Sequence, residues 1–365
     1  MRNPLEAHPA WRQLAIVSIV LPAVVALAVL VFAWPAARVN PRDLPVGVVG
    51  ADPASQQLVS KLSAAEPGAF DLHLYPDTRS AESAVRNRQI YGAFVDTPGR
   101  LQILEASAAG PAVSQLLTGV GTKLTAAAGQ QASAGKAPAT VTTLDVVPLA
   151  REDPKGMVFS SALLPLTICG IVIAIVVGLV VRFRPAIRQL VALTVVALVA
   201  GAGIYLLAQG WLGALPHNGL ADWAALGLTI LALSSGTAGL IALFGPPGVG
   251  VAAAVFVFVG NPFSGVTSAP QMLPGAVDHI GQWLPPGAGA SLLRSTAYFG
   301  GAGAGGHVAV LLAWSVLGCA AIVLGHHAPI RFAAASRLAA LPVLEPLPEP
   351  GRHAGDGQQV KQLTR

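Results

Sequence analysis

Charged side chains are scarce in this 365-residue sequence: Asp, Glu, Lys and Arg make up 11% of it, and hydrophobic residues make up 53%. Soluble globular chains carry about 25% charged residues, so this composition excludes an ordinary soluble protein and predicts an integral membrane protein. The net charge is +5, yet residues 40–155 hold ten basic against eleven acidic residues. The basic excess therefore lies in short flanks and connectors, which is typical of membrane topology and not of nucleic-acid binding.

Cysteines and catalytic motifs are also nearly absent. Cys169 and Cys319 both fall in apolar runs, which excludes a disulfide framework and a cysteine metal cluster. The glycine-rich segment 245–250 lacks the lysine of a phosphate-binding loop, and neither Gly-x-Ser-x-Gly nor His-Glu-x-x-His occurs. We expect no catalytic, cofactor or metal site, hence no enzyme, with any ATP bound on a separate subunit. His307, at the start of the last apolar run, is expected to be an interfacial residue, with a cavity-facing role as the alternative.

Apolar runs predict six transmembrane helices. The first lies in segment 1–39, where residues 13–37 are uncharged and long enough to cross a core of about 30 Å; a cleaved signal peptide is the alternative. The others lie within a region spanning 156–325, at about 157–181, 190–209, 223–244, 248–260 and 307–324. The fifth run covers only about 20 Å as a helix, so it either continues through a kink at Asn261-Pro262 or is a half-span. By these bounds no charged residue lies inside a span, and Asp222 lies at an interface, which removes the usual parts of a proton relay.

Between the first two spans, residues 40–155 have ordinary composition and predict an α/β domain with an independent core. Short segments rich in β-branched or aromatic residues predict strands at 46–49, 70–74, 91–95, 101–105 and 141–147. Helices are predicted at 53–65 with Asp52 as N-cap, at 80–88 and at 111–128. Residues 129–140 are expected to form a flexible loop, and the tail 326–365 is expected to be partly disordered.

The stretch 261–306 is apolar but holds five prolines, which one spanning helix would not tolerate. Irregular backbone at membrane depth survives only when it is packed in protein or lines a cavity. We therefore predict a broken, re-entrant helical hairpin in the outer leaflet, with a surface loop carrying an amphipathic piece as the alternative. Its candidate gate residues are Asn261, Pro262, Phe263, Gly265, Pro274, Pro285, Pro286 and Arg294.

The distribution of Lys and Arg predicts the orientation. With six spans, the N-terminal arginines, the connector 182–188 and the tail arginines share one side, which the positive-inside rule makes cytoplasmic. Both termini are then cytoplasmic and the α/β domain is extracytoplasmic. Arg38 and Arg42 count against this orientation, but they precede a long domain, where the rule is weak.

The fourth predicted span contains a run of small and hydroxyl-bearing residues. Ser234, Ser235 and Thr237 are candidates for the lining of a substrate path. The favoured alternative is a close helix–helix contact, because small residues let spans approach.

Several motifs together carry a family resemblance. They are residues 91–95 (YGAFV) with 101–109, 147–149 (VPL) with 153–156 (DPKG), and 261–265 (NPFSG) with 272–274 (MLP) and 284–287 (LPPG) to Arg294. With six spans, a large outer domain and a basic connector, the chain resembles a type-two ABC exporter permease. More narrowly, from residue 13 to about 324 it is similar to the actinobacterial YhgE/Pip group of phage-infection-protein-like membrane proteins.

The resemblance implies a permease subunit in the cytoplasmic membrane that works as a homodimer or pseudo-dimer with a separate ATP-binding subunit. The ATPase-coupling connector would be Arg182, Phe183, Arg184 and Arg188, and the outer gate would be the stretch from Asn261 to Arg294. A charge-free path would favour an apolar or amphipathic cargo. The alternative is a non-transporting envelope protein whose extracytoplasmic domain binds a protein partner or a phage.

Overall fold

The computed structural model describes residues 8–50, 53–97, 100–131, 140–181, 184–216 and 219–327. The protein is mainly helical, with one five-stranded sheet in the region 40–155, which we call the α/β region. Its helices are α1 (His8–Ala37), α2 (Pro53–Ala65), α3 (Thr78–Arg86), α4 (Pro111–Gln131), α5 (Met157–Val180), α6 (Ala186–Tyr205), α7 (Gly219–Phe244), α8 (Pro247–Ala252), α9 (Val277–Gln282), α10 (Pro285–Tyr298) and α11 (Ala304–His327). The strands are β1 (Leu44–Val49), β2 (Phe70–Tyr75), β3 (Gly92–Thr97), β4 (Arg100–Glu105) and β5 (Thr140–Asp145).

Among the described residues, five helices are long and apolar enough to cross a membrane: α1, α5, α6 with its π-helical extension Leu206–Trp211, α7 and α11. Each lies on a predicted apolar run, so the protein is membrane-embedded. The fifth predicted run is a shorter apolar segment, in which α8 continues as the eight-residue π-helix Ala253–Gly260. It is too short to cross a core of about 30 Å unaided.

Three candidate spans begin earlier than predicted: α6, α7 and α11 begin at Ala186, Gly219 and Ala304, whereas the predicted runs began at 190, 223 and 307. Arg188 therefore lies in the first turn of α6, and Asp222 lies in the first turn of α7. Charged residues are thus found inside two candidate spans, contrary to the expectation that none is. Sequence reasoning placed Asp222 at an interface because the apolar run begins only after it, but a helix's polar first turn adds residues before the run.

The sheet has the order β2-β1-β3-β4-β5, parallel except for the antiparallel pair β3–β4. All five strands overlap the predicted segments, and α2 has the predicted bounds. Helix α3 begins earlier than predicted because Asp77 accepts a hydrogen bond from the Ser80 amide in a capping box. Helix α4 extends to Gln131, past the predicted start of the loop at residue 129. The predicted cap Asp52, residues 132–139 of that loop and the tail from 328 lie outside the described residues.

The core of the α/β region is not made by that region alone. Ala269 and Met272, from the stretch 261–306, are buried in one cluster with Leu44, Phe94 and Leu117. The backbone amides of Asn40 and Arg42 donate to the carbonyls of Met272 and Gln271, at 3.0 and 3.1 Å. The expectation of an independent core was therefore incomplete: a segment more than 150 residues later in the chain closes it.

Helix α10 lies beside the middle of α7. A Cβ on Gly289 of α10 would lie 2.7 Å from the Thr229 hydroxyl of α7, so the two helices are in close contact there. Thr229 is ten residues into α7, or about 15 Å along it. Ala288 and Leu292 share a buried cluster with Ala232 of α7 and Leu311 of α11. A Cβ on Gly260 would lie 2.8 Å from the Pro286 ring. The π-helix therefore ends where α10 begins, at a level well inside α7.

Candidate functional site

The segment before α10 sets the level at which that helix starts. Leu284 is extended, and Pro285 and Pro286 occupy the first helical positions, where proline's missing amide hydrogen is not needed. Small residues follow at 287–290, and they let α10 approach α7 closely. The helix then runs to Tyr298 beside the α/β region and carries Arg294 one turn before its end.

Arg294 is a buried cation with few partners. Its residue is 5% exposed, and its Nη2 donates to the carbonyl of Val266 at 2.9 Å. Its guanidinium carbon lies 5.0 Å from the centre of the Phe159 ring. A guanidinium has five N–H donors, so most of its hydrogen-bonding capacity is unused among the described residues. A guanidinium stays protonated in proteins, so Arg294 is a buried positive charge at neutral pH.

Arg88 brings a second positive charge to the same place. It follows α3 in a left-handed conformation (φ 57°), which directs the chain into β3. Its Nη1 donates to the carbonyl of Ser291 at 3.0 Å and to the Ser295 hydroxyl. These hydrogen bonds join the α/β region to α10. The guanidinium also lies over the Phe299 ring, 5.4 Å from its centre. Burial lowers the pKa of Arg88, opposed by the nearby Tyr91.

No carboxylate among the described residues neutralises this pair. The ion pairs found there, to a limit of 4.0 Å, join Asp71 to His73, Glu66 to Lys123 and Asp278 to His279. The buried carboxylate of Asp153 accepts hydrogen bonds from the amides of Met157 and Val158 at 2.8 and 2.9 Å and thereby caps α5. Two neighbouring guanidiniums thus lie partly or fully out of water without a counter-ion, which is costly unless an anion joins them.

A cavity of about 210 Å³ opens beside Arg294. It lies between the α/β region, the start of α5 and the stretch 261–306. Its wall includes the cations Lys155 and Arg294 together with Ser160, Tyr298 and Phe159. The Tyr298 hydroxyl donates to the carbonyl of Ala214 at 2.9 Å. The charge on the cavity wall is therefore positive.

Asp222 lies on the other side of α10. The residue is fully buried, and neither carboxylate oxygen has a hydrogen-bond partner among the described residues. The Thr296 hydroxyl lies beside it but donates to the carbonyl of Leu293 at 3.1 Å. The first turn of α7 supplies the favourable end of a helix dipole, which offsets part of the cost of burying this charge.

The predicted gate residues lie along one folded segment. Asn261, Pro262 and Phe263 form the turn after the π-helix, and Gly265 adopts φ 66°. A Cβ on Gly281 of α9 would overlap the Phe263 carbonyl, and Gln282 donates to the carbonyl of Ser264 at 2.9 Å. The turn and α9 are therefore interlocked. Pro274 precedes α9, Pro285 and Pro286 begin α10, and Arg294 faces the cavity.

The predicted path-lining residues lie in a helix contact. Ser234, Ser235 and Thr237 are fully buried, and each hydroxyl donates to a carbonyl of α7 itself, Leu231 or Leu233. On the same stretch a Cβ on Gly239 would lie 2.9 Å from the Gly318 carbonyl of α11. This geometry favours the contact-face interpretation over a substrate path.

The predicted coupling connector is described in part. Arg184 is exposed between α5 and α6 and Arg188 is exposed in the first turn of α6, whereas Arg182 and Phe183 lie outside the described residues. Helix α5 begins at the α/β region and ends at this connector, so the connector and the α/β region lie at opposite ends of the helix.

His307, in the first turn of α11, is half-buried and near Arg88. Its assignment as an interfacial residue stays a prediction.

Sequence reasoning missed Arg88 as a site residue. It appeared only as one charge at the end of a predicted helix, and no local pattern links it to Arg294, 206 positions later. Its contact with α10 depends on how the α/β region packs against that helix.

No family model matches the chain, and comparison with curated proteins and with solved structures likewise returns no match.

Proposed function

We propose that this chain is the membrane-spanning permease subunit of an ABC-type exporter, which moves an apolar or amphipathic compound across the cytoplasmic membrane. The energy comes from a separate ATPase chain, and two copies, or a copy and a related subunit, enclose the path. The observation that carries the proposal is a broken helical segment: α8 with its π-helix ends against the start of α10, beside the middle of α7. A membrane anchor with a purely structural role does not require such an interruption.

The contacts support a re-entrant element. The π-helix and α10 meet at Gly260 and Pro286, at the level of α7's middle, and the segment between them reaches the core of the α/β region. Non-helical backbone at such depth is tolerated where it is packed in protein or lines a cavity, and transporters place their binding sites at discontinuous helices of this kind. The prediction of a gate in this stretch rests on the same feature.

The arrangement of charge supports the orientation. Arg184 and Arg188 lie at the end of α5 opposite the α/β region. Helix α11 runs from one end to the other: Gly303, just before it, lies beside Arg88, and Gly325, near its end, lies beside Ala242, near the far end of α7. If the basic connector is cytoplasmic, the α/β region is extracytoplasmic. The two guanidiniums then lie near the outer end of the proposed path.

The proposal is tested through the ATPase. The full-length chain, affinity-tagged at native expression level, is purified in mild detergent, and co-purifying proteins are identified by mass spectrometry. We expect a P-loop ATPase whose hydrolysis rate changes when the permease is present. Reversing Arg182, Arg184 and Arg188 to Glu should abolish that change, while the matched triple substitution to Lys, which keeps the charge and the topology, should retain it.

Two outcomes would overturn the proposal. One is a purified chain that brings down no ATPase and instead retains an envelope protein through the α/β region, which is the alternative function. The other is an ATPase whose activity and co-purification are indifferent to the charge-reversed connector, although that variant reaches the membrane in normal amount.

A further inference from the structure

We propose that the cavity beside Arg294 binds the anionic headgroup of a membrane lipid or lipid-like molecule, whose hydrocarbon chain lies along the exposed face of α5. As the identity of the cargo this inference rests on the proposed function. As a binding site it does not, because binding can be measured without transport.

Charge points to an anion. Arg294 is buried, makes one hydrogen bond with its side chain among the described residues and has Arg88 as a neighbour of like charge. Lys155 adds a third positive group at the cavity. An ionised phosphate or carboxylate would accept charge-assisted hydrogen bonds from the free guanidinium nitrogens and relieve the repulsion between the arginines.

Size limits what can enter. The cavity of about 210 Å³ is smaller than the roughly 300–1,000 Å³ of pockets that enclose a whole small-molecule ligand. A charged headgroup fits this space, and the remainder of a larger ligand must lie outside it. The cavity wall at Met157 and Ser160 belongs to the first turn of α5, where that helix begins its apolar run.

The surface below the cavity suits a hydrocarbon chain. Ser160 lines the cavity, and Leu164, Ile168 and Val172 follow it at intervals of four residues, which places them on one face of α5. All three are exposed. A cationic cavity therefore continues into an apolar, membrane-facing strip, which matches a molecule with an acidic head and an apolar tail better than it matches a free anion.

Binding is tested on the full-length chain in detergent micelles of a neutral surfactant. The probes are dioleoyl phosphatidylglycerol, the zwitterionic dioleoyl phosphatidylcholine and inorganic phosphate, and bound lipid is counted by native mass spectrometry and by titration. We expect phosphatidylglycerol to bind at least tenfold more tightly than phosphatidylcholine, and inorganic phosphate to compete only weakly. Arg294→Gln should remove this preference, whereas Arg86→Gln, at an exposed arginine of α3, should leave it unchanged.

A second variant tests the site independently, in case Arg294→Gln fails to fold. Ser160→Trp fills the mouth of the cavity from a half-buried position and leaves both arginines in place. It should also weaken phosphatidylglycerol binding about tenfold. Equal binding of the two lipids, or lipid binding unaffected by Arg294→Gln and Ser160→Trp, would overturn the site.

Two further outcomes distinguish a lipid headgroup from a free anion, and a binding site from an export path. Phosphate binding as tight as lipid binding would show a site for a free anion and refute the assignment to lipid. If the lipid binds as expected but its amount in the outer envelope is the same in deletion and complemented cells, the binding site stands and the identification of this lipid as the cargo is refuted.

Discussion

Arg88 and Arg294 show what a single buried charge contributes in this protein. Each packs its guanidinium over an aromatic ring and donates to α10 or to the segment before it. These contacts recover only part of the hydration that a guanidinium loses on burial. These residues are therefore better explained by an anionic ligand than by a contribution to stability, because a buried charge without a counter-ion raises the free energy of the folded state.

Glu105 provides a pH-dependent prediction at the residue scale. Partial burial raises the pKa of Glu105, and its neighbour across β4 and β5, Asp145, raises it further; the Thr118 hydroxyl opposes the shift. The folded state then holds this proton more tightly than the unfolded state, so stability falls as the pH rises from the ordinary value of 4.5 through the raised pKa. Glu105→Gln should remove that fall.

We expect the melting temperature of Glu105→Gln in detergent to match the wild type at pH 4 and to exceed it at pH 7. The gain in the free energy of unfolding should stay below about 1 kcal/mol, because the side chain is partly exposed and its interactions are screened. Glu152→Gln, at an exposed carboxylate, controls for the loss of one negative charge. A variant less stable than the wild type at pH 7 would contradict the sign.

At the scale of elements, helices α7 and α11 depend on residues without side chains. Gly239 and Gly318 bring the two backbones together, and the hydroxyls beside them are satisfied inside α7. Gly239→Leu should therefore force the helices apart and lower stability by about 1–3 kcal/mol, the usual cost of overpacking. Thermal unfolding in detergent measures this. Gly203→Leu in α6 is the matched control, since a Cβ there meets nothing within 4 Å.

The two interpretations of Ser234, Ser235 and Thr237 give different results for Gly239→Leu. A contact face predicts loss of stability and of folded yield. A substrate path predicts a stable, well-folded protein that no longer transports, because the new side chain would project into open space.

Met272 joins two elements that are far apart in the sequence. It is 5% exposed and lies in the core of the α/β region. Met272→Ala should cost about 2–5 kcal/mol, through lost burial and the cavity left behind. Met157→Ala is the control, because Met157 is 63% exposed. Equal melting temperatures for the two variants would show that Met272 does not pack as described.

At the scale of the whole molecule, the apolar runs and strands could be predicted because each is a local pattern: a run of uncharged residues, or a cluster of β-branched ones. The insertion of Ala269 and Met272 into a distant core, and the meeting of Arg88 with Ser291, leave no such pattern. They depend on tertiary contacts over more than 150 residues. The candidate site was therefore half predicted: Arg294 is the only Lys or Arg in the apolar stretch 261–306, whereas its neighbours require the fold.

The orientation of the molecule is the last prediction. On a background with Cys169 and Cys319 replaced by Ala, Ser83→Cys on α3 should react with a membrane-impermeant maleimide added to intact cells. Arg188→Cys on the connector and Gln359→Cys in the tail should react only after the membrane is opened. The reason is the basic connector, which the positive-inside rule places in the cytoplasm. Labelling of Arg188→Cys but not Ser83→Cys in intact cells would invert the topology.

The way Met272 completes the α/β region also sets an order of events during biosynthesis. Strands β1 to β5 leave the ribosome before α5 to α8, yet their hydrophobic core still lacks Ala269 and Met272 at that time. The region therefore stays incompletely packed until three further candidate spans, α5 to α7, and the shorter segment of α8 have been made. A chain truncated after α5 should therefore expose apolar surface and be degraded, and a chaperone at the membrane surface would be most needed in this interval.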